Sequence, residues 1–150
     1  MFKHLLIPTD GSELSEAAVC AGIRLAKEQG ALVTGLYVMQ DYPVIYGTEG
    51  MLSFNAYQEL ERSAHTAADT SLQFIEQLAQ QEGVPCRTVK VINISPYEAI
   101  IKQAQSNACD LICMASHGRK GISSVLLGSE TQKVLSHSHI PVLVYRLALV

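Results

Sequence analysis

Two segments hold the residue types from which a phosphate or metal site is built. The first is Pro8-Thr9-Asp10-Gly11-Ser12, where Asp10 offers a carboxylate to a magnesium ion that bridges phosphates. The second is MASHGRKGISSVLLGSETQK, Met114 to Lys133, with three glycines and five serines or threonines behind an apolar run. In it Gly128-Ser129 directly precedes a helical pattern. Free backbone N–H groups and the positive end of a helix dipole would meet an anion there. Each segment also has a plainer reading: Asp10 or Ser12 satisfying the N–H groups of a helix start, and Ser129 capping a helix with Gly128 as a turn residue.

Other reactive-looking residues carry less. No window fits the G-x-x-x-x-G-K-[ST] phosphate loop, and G-x-G-x-x-G is absent, which disfavours a P-loop NTPase or a standard dinucleotide dehydrogenase. Without a P-loop lysine, fast phosphoryl transfer lacks its positive charge. Ser116-His117 invites a nucleophile-and-base reading, but adjacent side chains usually point apart and no acid is spaced to orient the imidazole. His117 is expected to shape the loop or contact phosphate. His137 and His139 flank Ser138 at a helix end, where imidazole suits the negative dipole end better than a metal. His4 and His65 have no supporting neighbours in the sequence. Cys20, Cys86, Cys109 and Cys113 form no C-x-x-C pair and match no zinc spacing, so they read as reduced, packed thiols.

The elements that must position these residues follow from the hydrophobic pattern. His4–Pro8, Ala31–Met39, Cys86–Ile92, Asp110–Ala115 and Pro141–Arg146 are apolar runs that read as strands, most of them buried on both faces. Leu14, Ala17, Ala18, Ala21 and Leu25 recur at helical spacing, with Gly30 as the stop. A long amphipathic helix runs from Leu60 to a stop at Gly83. Ser95 at N-cap and Pro96 at the first position open a third helix, and Ser129 opens a fourth. Gln40–Asn55, with Pro43, Gly47 and Gly50, is the one long connection and has the character of a lid or surface loop. Strands alternating with helices predict an α/β fold: an open five-stranded parallel sheet with helices on both faces, of Rossmann-like type. Ligands of such sheets bind beyond the carboxyl ends of the strands, where strand order reverses, and both loaded segments follow strands.

Composition sets the outer limits. A chain of 150 residues, 48% hydrophobic and 17% charged, suits a single domain spanning 1–150. A net charge of -3 argues against nucleic acid as a partner, and no apolar run is long enough to span a membrane. MFKHLLIPTDGSE reads as a first strand and not as a signal peptide.

Taken together, the Pro8–Ser12 turn, Tyr37-Val38, Met114–Gly118, Gly128-Ser129 and the Pro141–Val144 strand resemble the universal stress protein family over nearly the whole chain. The nucleotide-binding branch of that family carries G-x2-G-x9-G-[ST]. In this register Gly118 and Gly128 are the second and third glycines, Ala115 stands at the first, and Gly121 falls outside the pattern. The resemblance implies ATP lying across the carboxyl edge of the sheet, with magnesium. Pro8 and Thr9 would line the pocket, and Asp10 would lie near the phosphates and the metal. Val38 would meet adenine, and Met114 and Ala115 would border the ribose. Gly118, Gly128, Ser129 and the Glu130 amide would hold the phosphates, with Arg119 as an added counter-charge. It further implies a cytoplasmic stress-response sensor or adaptor with at most slow hydrolysis, dimeric through the strand at 141–146, with protein partners that the sequence does not name. The alternative is a nucleotide-free interaction dimer of the same family. If the backbone at Ala115 needs a positive φ, alanine costs roughly 1 kcal/mol. If φ is negative, the methyl only crowds the ligand.

Overall fold

The computed structural model describes residues 1–41, 54–118 and 126–147. The elements run β1 (His4–Thr9), α1 (Glu13–Gln29), β2 (Leu32–Met39), α2 (Phe54–Glu82), β3 (Cys86–Ile92), α3 (Pro96–Ser106), β4 (Leu111–Ala115), α4 (Ser129–His137) and β5 (Val142–Tyr145). The helix stops are those the sequence announces: Gly30 and Gly83 take the left-handed conformation, at φ 64° and 69°. Helix α2 begins at Phe54, well ahead of Leu60 and inside the expected connection. The rest of that connection, with Pro43, Gly47 and Gly50, lies outside the described residues.

All five strands are parallel, in the order β3-β2-β1-β4-β5. The chain steps outward from β1 to β3, then returns past β1 to β4 and β5. With one constant crossover hand, that reversal must move the helices to the other face. Helices α1 and α2 pack together on one side, α3 and α4 on the other. Alternation along β1 serves both: Leu5 and Ile7 join Val19, Ile23 and Ile75, whereas Leu6 joins Leu36, Ile100 and Val134. Leu5, Leu6 and Ile7 are fully buried, each contributing about 1.5–3 kcal/mol relative to exposure. The central strands β1, β2 and β4 are covered on both faces, and the edges β3 and β5 are only half covered.

At the amino end of the sheet His4 is buried, and its Nε2 lies 2.7 Å from Thr34 Oγ1. Arg87 Nε donates to the same hydroxyl at 3.2 Å, and the ring also bonds the Asn107 backbone. A neutral ring accepting from the Thr34 hydroxyl completes this network. Burial, reinforced by the Arg87 charge, lowers the His4 pKa below its ordinary value. The partners of His4 come from β2, β3 and the turn after α3, none of them near it in sequence.

Candidate functional site

The order in which strands are added reverses between β1 and β4, and there the sheet opens. The β1–β2 ladder continues to Thr9 opposite Tyr37, and the β4–β5 ladder to Ala115 opposite Tyr145. The β1–β4 ladder stops at Leu6 opposite Ile112, well short of both strand ends. Pro8 supplies the reason. Leu32 takes the Lys3 carbonyl and Asp110 takes the His4 carbonyl, so odd positions of β1 turn toward β2 and even positions toward β4. The next rung to β4 would need the N–H of residue 8, and proline has none.

On the β1 wall, Thr9 and Pro8 are buried and Asp10 follows at the lip. Asp10 Oδ1 accepts from the Ser12 N–H at 2.9 Å, and Ser12 Oγ caps α1 by accepting from the Ser15 N–H at 3.2 Å. Thr9 Oγ1 accepts from the Gly11 N–H and lies 3.0 Å from Ser15 Oγ. These bonds hold Gly11 at φ 78° and fix the turn that presents Asp10. Asp10 Oδ2 lies against Gly118, at the far lip: a Cβ on Gly118 would stand 2.7 Å from it.

On the β4 wall, Met114 and Ala115 are buried, with Met114 packed into the α3/α4 core. Ala115 is an ordinary strand residue paired with Tyr145. The one non-glycine residue with positive φ among the described residues is Ala108, so alanine costs no backbone strain at 115. Helix α4 is seated on this wall by two bonds, Gly128 N–H to the Ser116 carbonyl at 2.8 Å and Thr131 Oγ1 to the Ala115 carbonyl at 3.0 Å. Its N-cap is Gly128, which provides no side-chain cap. Ser129 is thus the first helical residue and not the cap. Among the described residues no serine or threonine side chain caps the first-turn N–H groups of α4, which suits an anion site. Gly128 also fits closely, since a Cβ there would come within 3.1 Å of the Ser116 carbonyl and 3.2 Å of His117 Cα.

Ser116 and His117, expected to point apart, are in contact: Ser116 Oγ lies 3.1 Å from His117 Nδ1. His117 Nε2 is buried and has no hydrogen-bond partner among the described residues. A buried, unpartnered ring nitrogen beside a bare helix start is a further feature for a ligand oxygen to satisfy. The Ser116–His117 dipeptide contained this signal, but only the fold shows that His117 lies beside Gly128 at the start of α4. Val38 stands one position past the last β1–β2 pair, half-exposed at the carboxyl edge. The Glu130 side chain leaves its own helix and bonds the Tyr97 N–H of α3 at 2.9 Å. Arg119 and Gly121 lie outside the described residues.

All four cysteines are free, and burial pushes the Cys109 and Cys113 thiols up to about 11, too high for reactive thiolates at neutral pH. His137 Nδ1 bonds the Lys133 carbonyl at 2.8 Å in the last turn of α4. No group of three or more metal-ligating side chains occurs among the described residues. A magnesium at Asp10 would therefore draw its remaining ligands from phosphate and water, the usual arrangement for that ion. A groove of about 490 Å³ runs from Gly11 between α1 and α2, but no basic side chain lines it.

The Universal stress protein family model matches residues 1–146. The chain belongs to the universal stress protein family. A universal stress protein of Methanocaldococcus jannaschii is 30% identical over 146 residues, covering 97% of this chain and 83% of its own. The solved structure of a second protein of that organism superposes with a TM-score of 0.81 at 28% identity, over 100% of this chain and 99% of that one. Two further family structures share the universal stress protein fold and hold nucleotides. One is a complex with cAMP (TM-score 0.71, 21% identity, 98% and 99% coverage), and the other is from Arabidopsis thaliana with AMP bound (0.69, 14%, 97% and 92%).

Proposed function

We propose that this protein binds an adenine nucleotide, ATP with magnesium, in the cleft between β1 and β4, and serves as a stress-response sensor or adaptor. The observation that carries the reading is the pairing of two walls across the opened sheet. Asp10 meets Gly118 on one side, and on the other α4 starts at a glycine with no side-chain cap. Phosphates would lie on the amides of Ser129 and Glu130, reached through the bare backbone of Gly128, with His117 Nε2 as a further donor. Asp10 would hold magnesium against them. The base would pass over Pro8 toward Val38, with the ribose beside Met114 and Ala115. The cAMP and AMP complexes of family members support an adenine ligand for this fold.

No described residue presents a positioned base with a strong positive charge at a terminal phosphate, so any hydrolysis would be slow and the nucleotide would act as a conformational signal. Strand β5 is an edge, with Leu143 40% exposed on it and Leu147 56% exposed just beyond. Pairing with a second copy along 141–146 would cover the open edge that carries Leu143, which supports a homodimer. None of the described helices is long and apolar enough to cross a membrane, consistent with work in the cytoplasm. Calorimetric titration with ATP and magnesium tests the reading. Binding is expected, and no heat at millimolar nucleotide would overturn it.

A further inference from the structure

Helix α3 starts with backbone N–H groups that need partners. Ser95 sits at its N-cap but makes no side-chain hydrogen bond there, and its own N–H is taken by Asn93 Oδ1 at 2.8 Å. The Tyr97 N–H is satisfied from a different helix, by Glu130 Oε2 at 2.9 Å. Glu130 belongs to the first turn of α4, immediately after Gly128-Ser129. Its other oxygen holds Lys133 Nζ at 3.4 Å, and that ammonium lies 5.5 Å from the centre of the Tyr97 ring. The Tyr97 ring in turn packs at 5.1 Å on the ring of His137.

Helix α4 is short, nine residues, and its first turn is fixed from two directions. Bonds from Gly128 and Thr131 tie it down to β4. Sideways, the described residues tie that turn to α3 through Glu130. A first-turn carboxylate would ordinarily sit at its own helix start and compete with an incoming anion. Here it is engaged on the neighbouring helix.

We propose that Glu130 is a positioning residue of the nucleotide site: its carboxylate clamps the start of α4 to the start of α3 and keeps the Ser129 and Glu130 amides aimed at the phosphates. The proposal rests on the nucleotide reading above. The geometry calls for an acceptor at the end of the side chain and not for a charge, so Glu130→Gln keeps the clamp and Glu130→Ala removes it.

The test measures ATP–magnesium affinity by calorimetry and hydrogen exchange at the Tyr97 amide in the full chain and both variants. Glu130→Ala is expected to expose the Tyr97 amide to exchange and weaken ATP binding about tenfold, as loss of a hydrogen bond allows. Glu130→Gln should keep the amide protected and hold affinity close to that of the parent. Equal weakening in both variants, or equal affinity in all three proteins, overturns the clamp while leaving nucleotide binding intact. A parent chain that binds no ATP sinks the nucleotide reading instead. In that case Tyr97 protection retained in Glu130→Ala still counts against the clamp.

Discussion

The Asp10 carboxylate and the Gly118 backbone close on each other across the cleft, leaving no room for a side chain: a Cβ at 118 would meet Oδ2 at 2.7 Å. Gly118→Ala must push Asp10 aside, and a carboxylate displaced by about 1 Å can cost on the order of a hundredfold in a positioned site. We expect ATP–magnesium affinity to fall about tenfold, because the proposed metal contact would be only one part of the binding. In an Asp10→Ala background the clash is gone, so adding Gly118→Ala should cost little. A calorimetric double-mutant cycle with purely additive losses would refute the coupling.

Pro8 holds the sheet open by lacking a donor. Pro8→Ala restores the N–H and allows one more rung between β1 and β4. The added bond, worth about 0.5–1.5 kcal/mol, is roughly offset by about 0.4–1 kcal/mol of unfolded-chain freedom regained when proline is removed. Stability should therefore stay nearly constant while the cleft narrows and ATP affinity drops. The signature is a slowly exchanging amide at position 8. A fast-exchanging amide there with unchanged affinity would rule the mechanism out.

At position 115 the alanine occupies ordinary strand backbone, so glycine relieves nothing. Ala115→Gly is expected to lower stability by about 0.5–1 kcal/mol, the entropic cost of glycine in a strand. Nucleotide affinity should hold within a few-fold. Urea denaturation and calorimetry measure the two effects separately. A tenfold gain in affinity would instead show that the methyl crowds the ribose.

His4 gives the fold a dependence on mild acid. Burial and Arg87 lower its folded pKa below the 6.5 of an ordinary histidine. As pH falls through 6.5 the unfolded chain takes up a proton that the folded chain refuses, so stability declines, by at most about 1.4 kcal/mol per pH unit. Asp110 contributes separately. Burial raises its pKa, but the N–H groups of His4 and Lys3 outweigh this and leave it below 3.8. Its stabilisation is present above that pH and is lost only in stronger acid. Urea midpoints from pH 8 to pH 5 should slope in the parent and flatten in His4→Gln. Equal slopes would assign the effect to other groups.

What could be read along the chain was whatever the local backbone dictates. Gly30 and Gly83 end helices because only glycine takes their φ without strain, and that constraint is visible in sequence. The strand-helix alternation and the two loaded loops after the first and fourth strands were legible for the same reason, and the parallel sheet follows from the alternation. Partnership between distant residues was not. Ser95 marks the start of α3 correctly, yet its hydroxyl does no capping, and the Tyr97 N–H is taken by Glu130 from the neighbouring helix. Ser129 looks like a cap, but Gly128 takes that position. The Asp10–Gly118 approach and the His4–Thr34–Arg87 network depend on strand order, which no local pattern encodes.

The two walls of the cleft come from opposite ends of the polypeptide. Asp10 is set by the first turn of the chain, whereas Gly118 and Gly128 arrive only after β4 has docked beside β1. A chain cut between α2 and β3 would leave each piece with a single wall, and neither piece could recognise a ligand by itself. On the proposed reading, nucleotide would engage only the completed sheet. Its binding free energy would then add directly to the stability of the whole domain, as RT ln(1 + [L]/Kd). A rise or fall in cellular nucleotide would thus be felt as a change in how long the entire molecule persists folded, and not only at the cleft.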